Sequence, residues 1–353
     1  MTTAAGARDR ARGVLWGLAV GDALGMPTEG LSRAAAGARY GLVDRFHPGP
    51  DDSATAPGLP AARVTDDTEQ AVIVGRLLVA GEGRVDPAAL AVELLAWQER
   101  MEATGAGGLL GPSTLRALAS IRTHGPSPSS GRWGDTNGAA MRVAPVGVAV
   151  PGRPLEALVD AVVATSAPTH NTHVALAGAA AVAAGVSTAV DGGGLAAVLH
   201  AAVLAARAAA ERGFHTTAPA VAARLENAVR LVRAEAGGGT AEDRIDAGCA
   251  VIDEVVGTSL ATHESVPAAF AVLALAETVR PGGAADSWLV CRLGASLGGD
   301  SDTIAAMAGA ISGAMGGVGA LPAAARDQVA AANPGLGLDA LADDLLALRG
   351  RRR

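Results

Sequence analysis

Apolar residues recur at spacings of three and four positions along most of this chain, in windows rich in Ala, Leu and Val that Gly, Pro and Ser separate. This period is that of one buried face of an α-helix, and no segment alternates convincingly as a strand. The pattern predicts an all-α protein. The predicted helices cover residues 10–24, 67–80, 87–103, 113–122, 155–165, 172–184, 194–212, 219–236, 241–256, 265–279, 286–297, 302–315 and 322–331.

Small residues dominate the predicted core. Half of the 353 residues are hydrophobic, but only 2% are aromatic, and 47 are glycine. A core of this composition closes when helix backbones approach one another across Ala and Gly. The chain shows no repeat of fixed period and no convincing linker. We therefore expect one domain over residues 1–350, with its motifs between residues 12 and 317.

Charge and cysteine content narrow the classes of function. The net charge is −7, and the basic residues are arginines that stand singly except at 351–353, so the chain carries no basic stripe for nucleic acid. Cys249 and Cys291 lie far apart without neighbouring histidines, which argues against a disulfide framework and a zinc site. Residues 1–12 lack the apolar core of a signal peptide. We expect a cytoplasmic protein that acts as a monomer.

The uncharged stretch at residues 303–325 raises a membrane alternative. Gly309, Gly313 and Gly317 within it have the small-residue spacing of closely packed helices. Alanine and glycine contribute little to membrane insertion, and no aromatic belt flanks the stretch. We interpret it as a tightly packed core helix and expect no association with a membrane.

Two acidic clusters, Thr65-Asp66-Asp67-Thr68 and Asp300-Ser301-Asp302-Thr303, each open a predicted helix. Helix starts tolerate clustered carboxylates because free N–H groups and the macrodipole offset part of their repulsion. A capping box of Asp66 with Glu69, or of Asp67 with Gln70, would explain part of the first cluster, but a cap does not use all of its oxygen-bearing side chains. Clustered carboxylate and hydroxyl oxygens suit Mg²⁺, Mn²⁺ or Ca²⁺, so the clusters predict a two-metal site.

Three other polar motifs interrupt apolar stretches. Residues 21–25, followed by Glu29, end the first helix, and Asp22 there lies on the surface or is buried against a metal shell or an arginine. Residues 134–142 form a glycine-flanked turn that is either ordinary or phosphate-binding. His170 lies in a polar island without the ligands of a zinc helix, so a hydrogen bond to a substrate or a structural role is favoured over metal ligation.

With these motifs in this order, the chain resembles the ADP-ribosylglycohydrolase family over roughly residues 12–317. The most specific parts are residues 21–25 with Glu29, residues 65–68 and residues 298–303, and residues 137–142 and 169–170 support them. The resemblance implies a single, orthogonally packed all-α domain with a cleft that holds two divalent cations, Mg²⁺ or Mn²⁺. This fold agrees with the independent helical prediction.

The resemblance also implies roles for individual residues. The implied metal ligands are Thr65, Asp66, Asp67, Asp300, Asp302 and Thr303. Glu29 would act near the scissile bond, and the proton would be moved by Glu29 or by an aspartate of the metal shell, Asp67 or Asp302. The implied substrate-binding residues are Asp135, Thr136, Asn137, Gly138, Ala139, Met141 and His170.

The implied activity is hydrolysis of an N- or O-glycosidic bond at C1 of the ribose in an ADP-ribosylated protein or small molecule. Two cations would orient the ribose hydroxyls and lower the pKa of a bound water. Asp135 would put a negative charge beside a pyrophosphate, so another ribosyl or nucleoside-type substrate stays open. A two-metal phosphohydrolase and a non-catalytic protein, either ADP-ribose-binding or crystallin-like, are the remaining alternatives.

Overall fold

The computed structural model describes residues 4–103 and 109–351, and these residues form helices and loops with no β-strand among them. The predicted all-α class is therefore confirmed. The α-helices are α1 (Ala4–Gly25), α2 (Arg33–Tyr40), α3 (Asp66–Ala80), α4 (Pro87–Ala103), α5 (Pro112–His124), α6 (Gly138–Met141), α7 (Ala144–Ala149), α8 (Leu155–Ser166), α9 (His173–Val190), α10 (Leu195–Ala209), α11 (Val221–Glu235), α12 (Ala241–Val251), α13 (Thr262–Val279), α14 (Ser287–Ala295), α15 (Ser301–Gly316), α16 (Ala323–Ala332) and α17 (Leu338–Arg351).

Each predicted helix corresponds to an observed one, whereas α2, α6, α7 and α17 are not predicted. Helices α6 and α7 have only four and six residues, which is too short to show a helical period. Helix α17 does carry the signal, because Leu341, Leu345 and Leu348 are buried at three- and four-residue spacing. The segment at 252–256 continues α12 as a π-helical turn.

Helix α9 lies at the centre of the fold. It packs against α6, α7, α8, α10, α13 and α15, and nearly all of its residues are buried. Within the described part of the chain it is also the one helix long and apolar enough to cross a membrane, but 89% of its apolar window is buried inside the protein. Packing against neighbouring helices accounts for this composition, as in the core helix of a globular protein.

Helices α1 and α15 are in backbone contact along their length. A Cβ built on Gly17 would lie 2.1 Å from the carbonyl oxygen of Gly309, and one built on Gly25 would lie 2.4 Å from the Cα of Asp302. The residues of α15 are buried except at its C-terminal end, so the predicted tightly packed core helix is confirmed. This contact holds the end of α1 against the start of α15, where the second acidic cluster lies.

We expect Gly309→Ala to lower the free energy of unfolding by about 3 kcal/mol, the upper end of the usual cost of overpacking. The new methyl group would lie 2.3 Å from the carbonyl oxygen of Gly17, and neither backbone can withdraw without opening the core. Urea unfolding followed by circular dichroism measures the change. Gly37→Ala in the exposed α2 is the matched control, because no atom lies within 4 Å of its Cβ position. Equal stability of the two variants would contradict the packing argument.

Candidate metal centre and active-site cleft

One cleft collects most of the predicted site residues. It has a volume of about 630 Å³, part of which is open to solvent, and the N-terminal ends of α3 and α15 contribute its acidic floor. The carboxylates that line it are Glu29, Asp66, Asp67, Asp300 and Asp302, and the other polar residues are Thr55, Thr114, Thr136, Asn137 and Thr303. The remaining walls are Leu109, Leu110, Gly111, Pro112, Gly138, Met141 and Leu260.

The electrostatics of the cleft are dominated by negative charge. Its described lining has five carboxylates and no Lys, Arg or His. Burial, reinforced by the neighbouring carboxylates, raises the pKa values of Asp66, Asp67 and Asp302 well above their ordinary value. Burial and then the charge of Asp300 raise the pKa of Glu29 to about 7, and burial raises that of Asp300 to about 6. These shifts show that the cluster lacks compensating positive charge.

The carboxylate arrangement fits a divalent cation. Two buried oxygens, Asp67 Oδ1 and Asp302 Oδ1, have no hydrogen-bond partner among the described residues. One oxygen each of Glu29, Asp300 and Asp302 lie within 4.8 Å of one another. A buried, unpaired carboxylate oxygen is costly, and Mg²⁺, Mn²⁺ and Ca²⁺ are bound through such oxygens. The cluster can therefore hold a metal, while a pair of ions stays a prediction.

The two predicted threonine ligands have different surroundings. Thr303 lines the cleft and donates from Oγ1 to Asp67 Oδ2 at 3.3 Å. Thr65 does not line it; its hydroxyl donates to Asp22 at 2.9 Å and accepts from the Asp67 N–H at 3.4 Å, which makes it the N-cap of α3. Both capping-box predictions, Asp66 with Glu69 and Asp67 with Gln70, are therefore wrong. Metal ligation by Thr65 stays a prediction.

Glu69 does not cap the start of α3, as the capping-box prediction required. Its carboxylate pairs with Arg63 at 2.6 Å and accepts from Trp97 Nε1 at 2.7 Å. Both carboxylate oxygens of Glu69 are thus engaged by other side chains. The side chains that accept from N–H groups of the first turn of α3 are Thr65, from Asp67, and Asp22, from Thr68.

Asp22 lies outside the lining of the cleft and fixes the start of α3. Its carboxylate, at the end of α1, is fully buried and accepts hydrogen bonds from the N–H and the hydroxyl of Thr65 and from the N–H and the hydroxyl of Thr68. Burial raises the pKa of Asp22 to about 6, and the threonine bonds oppose that rise. The surface interpretation is therefore wrong, and the partner is the start of α3, not an arginine. Asp22 joins α1 to the helix that presents Asp66 and Asp67.

The loop before α6 forms one wall of the cleft. Asn137 Nδ2 donates to the Asp300 carboxylate and to Ser265 Oγ, the latter at 2.8 Å. The side-chain amide of Asn137 thus positions a predicted metal ligand. The loop members that line the cleft are Thr136, Asn137, Gly138 and Met141.

Two predicted substrate-binding residues of the same loop do not line the cleft. Asp135 is exposed, and its backbone carbonyl accepts from the N–H and the hydroxyl of Thr262 at 3.2 and 2.8 Å. Ala139 is buried within α6. The geometry therefore does not support side-chain contacts from Asp135 or Ala139 to a molecule in this cleft.

His170 lies behind the loop and not in the cleft. It is fully buried, with Nε2 3.0 Å from Thr136 Oγ1 and Nδ1 2.7 Å from Thr169 Oγ1. A Cβ built on Gly138 would lie 2.7 Å from the imidazole, so the glycine backbone covers the ring. Burial and then the charge of Arg142 hold the pKa of His170 well below its ordinary value. The predicted direct contact with a substrate is not supported, because His170 reaches the cleft through Thr136.

The structure shows contacts around the cleft that the motifs do not indicate. Thr55, in the irregular segment at 41–65, donates to Glu29 Oε2 at 2.6 Å, and only the length of that segment suggests a function. Arg142, the last residue of the motif at 134–142, is fully buried behind Asp66, and the motif itself indicates no role for it. The apolar wall has no signal that distinguishes it from core; it consists of Leu109, Leu110, Pro112 and Leu260.

Comparison with known proteins agrees with this geometry. A family model described as ADP-ribosylglycohydrolase matches residues 3–353. The chain belongs to this family. The protein is therefore a hydrolase of the glycohydrolase type. The divalent metals for which the family is known agree with an acidic cluster that can hold a metal.

Individual relatives support the assignment to the ADP-ribosylglycohydrolase family. The chain is 38% identical over 325 residues to the uncharacterised protein YegU of Escherichia coli (strain K12), covering 92% of this chain and 93% of that protein. It is 34% identical over 164 residues to the ADP-ribosyl-[dinitrogen reductase] glycohydrolase of Rhodospirillum rubrum, covering 46% and 52% of the two chains. A solved structure described as an ADP-ribosylglycohydrolase-related protein complex has a TM-score of 0.68 and 26% identity, covering 97% of this chain and 99% of that one.

Proposed function

We propose that this glycohydrolase depends on divalent cations, Mg²⁺ or Mn²⁺, and cleaves the bond at the ribose C1 of an ADP-ribosylated protein or small molecule in the cytoplasm. The observation that carries the proposal is the group of five carboxylates in a cleft whose described lining has no basic residue. Such a group needs cations to be ionised together. Membership of the ADP-ribosylglycohydrolase family supports the substrate class.

Asp66, Asp67, Asp300 and Asp302, with Thr303, would hold the cations. When bound, the cations supply Lewis acidity that orients the ribose hydroxyls and lowers the pKa of a bound water. The protein's own contribution is to fix these ligands through the contacts already described: Asn137 holds Asp300, Thr303 holds Asp67, and Asp22 holds the start of α3.

Glu29 is the proposed proton-transfer residue. It lines the cleft beside Asp300 and Asp302, and Thr55 holds its Oε2 at 2.6 Å. From this position its carboxylate can take a proton from an attacking water held at the cation site and return one to the leaving group. The roles of Asp67 and Asp302 in catalysis are then those of metal ligands.

The position of Asp135 bears on the identity of the substrate. Its carboxylate is exposed and outside the lining of the cleft, so it does not oppose a pyrophosphate bound there. The charge argument against ADP-ribose therefore loses its structural basis. ADP-ribosylated arginine and serine are the substrates to test first, with free nucleosides as the alternative class.

The experiment is a substrate panel, assayed with Mg²⁺, with Mn²⁺ and after chelation. We expect release of free ADP-ribose from an ADP-ribosylated arginine or serine, with activity lost on chelation and restored by the cation. Chromatography coupled to mass spectrometry identifies the products. Release of inorganic phosphate would replace the proposal with the two-metal phosphohydrolase, and binding of ADP-ribose without any turnover would replace it with the non-catalytic alternative.

A further inference from the structure

Arg142 is a fully buried cation that has no carboxylate partner within 4.0 Å in the described part of the chain. Its Nη1 donates to Gln70 Oε1 at 2.9 Å, and its Nη2 donates to Thr169 Oγ1 at 2.6 Å and to the Thr165 carbonyl at 3.2 Å. Burial of a charge without a paired anion costs free energy, which its hydrogen bonds must offset. Its two side-chain contacts lead toward the cleft by separate routes.

The first route ends at a predicted metal ligand. A guanidinium only donates and a carboxylate only accepts, so the Gln70 amide between them has a single orientation. Gln70 Oε1 faces Arg142, and Gln70 Nε2 donates to Asp66 Oδ2 at 3.4 Å. Arg142 thereby places its positive charge behind Asp66, and the charge of Asp66 in turn favours the protonated form of Arg142.

The second route fixes the direction of a chain of hydrogen bonds. Thr169 Oγ1 accepts from Arg142 Nη2, and its own proton has no acceptor among the described residues other than His170 Nδ1, 2.7 Å away. Thr169 is fully buried, whereas Thr136 at the cleft is only partly buried, so the reverse direction would leave the buried Thr169 proton without a partner. Nδ1 is then an acceptor, so the ring carries its proton on Nε2. That proton points at Thr136 Oγ1, 3.0 Å away.

A doubly protonated His170 would reverse the middle of this chain. Full burial and the nearby positive charge of Arg142 both disfavour the imidazolium form. The neutral ring has two possible tautomers, and the contact with Thr169 selects the one protonated at Nε2.

Thr136 stands at the end of the chain and lines the cleft. Its oxygen accepts from His170, so its own hydroxyl proton has no acceptor among the described residues. The side-chain donors of Thr55, Asn137 and Thr303, which also line the cleft, are engaged with Glu29, Asp300 and Asp67. Thr114 is a further lining hydroxyl, but no contact fixes its direction.

We propose that Arg142, Thr169 and His170 are positioning residues that commit the Thr136 hydroxyl to donate a hydrogen bond to an acceptor oxygen of the substrate. The arrangement suits a substrate that presents a phosphate, hydroxyl or ring oxygen at the loop before α6. This inference rests on the proposed function only in taking that oxygen to belong to an ADP-ribosyl group. The direction of the chain follows from the contacts and the burial of Thr169 and does not depend on the proposed function.

The direction is tested by nitrogen-15 NMR of the histidine rings, with the His170 signals assigned by their loss in His170→Gln. We expect a neutral ring protonated at Nε2 in the unaltered protein and in Thr169→Ser, which keeps the hydroxyl. Thr169→Val removes the donor to Nδ1, so a population protonated at Nδ1 should appear. A ring protonated at Nδ1 in the unaltered protein overturns the proposal, whether or not any variant folds.

The donor role is tested by calorimetric binding of ADP-ribose and by kcat/KM on the substrate that turns over. Loss of one hydrogen bond in Thr136→Val should weaken both by about tenfold, and Thr136→Ser, which keeps the hydroxyl, should recover most of that loss. Thr169→Val should also lower the affinity for ADP-ribose and kcat/KM, while circular dichroism shows that its fold is intact. Unchanged affinity and kcat/KM in Thr136→Val would overturn the donor role. A protein that neither binds nor hydrolyses any ADP-ribosyl compound would instead reject the proposed function, and the tautomer measurement would still decide the chain.

Discussion

Asp302→Asn should reduce hydrolysis of the ADP-ribosylated substrate by at least about 100-fold, the upper end of what loss of an outer-shell partner costs a metal site. Asp302 lies at the start of α15 with one oxygen unpaired and the other groups of the acidic cluster around it. Asparagine keeps the shape but replaces an anionic ligand oxygen with an amide. The same substitution removes one of several mutually repelling buried carboxylates, so the cation-free protein should become more stable.

Opposite changes in activity and stability distinguish a ligand from a residue that only supports the fold. Activity is measured as ADP-ribose release, cation affinity by calorimetry with Mn²⁺, and stability by thermal unfolding after chelation. Asp344→Asn is the matched control, since Asp344 is exposed on α17, and all three quantities should stay unchanged there. Full activity and normal Mn²⁺ affinity in Asp302→Asn would remove this residue from the metal centre.

Sequence predicts well those helices in which buried or closely packed residues recur at a regular spacing. Helix α9 is apolar on every side because neighbours cover it all round, and the glycines of α15 are spaced as the backbone contact with α1 requires. The acidic clusters at the starts of α3 and α15 are likewise visible, because a helix start is where adjacent carboxylates are tolerated. Periodicity and local chemistry suffice for such features.

What sequence does not predict is which partner a polar side chain meets. Asp22 stands out as a charged residue in an apolar run. The residues around it do not show that its carboxylate accepts hydrogen bonds from the N–H groups of Thr65 and Thr68, more than forty residues away. His170 stands out as a loop histidine, but its ring is covered from the cleft by Gly138. Thr55 has no distinguishing neighbour at all and still holds Glu29. These contacts depend on how α1, α3 and α6 meet, which local pattern does not specify.

Removing the divalent cations should lower the melting temperature, and the loss should grow as pH rises. At about a hundredfold excess of free cation over its Kd, binding to the folded state adds about 2.7 kcal/mol of stability. With an unfolding entropy of about 2.1 cal/mol/K per residue, this corresponds to a rise in Tm of roughly 4 °C for 353 residues. Cations replace the missing positive charge around Asp66, Asp67 and Asp302, whose pKa values are raised by burial.

The sign of the pH dependence follows from the raised pKa values in the cation-free cluster. The folded pKa values of Glu29 and Asp300 are about 7 and about 6, against ordinary values of 4.5 and 3.8. The folded state therefore holds more protons than the unfolded state in this range, and the associated stability is lost as pH rises through the folded pKa values. Bound cations displace those protons, so they stabilise most where the protons have already left.

Thermal unfolding with saturating Mn²⁺ and after chelation, between about pH 6 and pH 8, measures this difference. We expect the increment in Tm due to the cation to be larger at the higher pH. His170, whose pKa is lowered by burial, lowers stability with acid in both samples, so it cancels in the difference. Asp302→Asn should flatten the dependence, and Asp344→Asn should keep it. An increment that shrinks toward high pH would show that the cation binds elsewhere than in this carboxylate cluster.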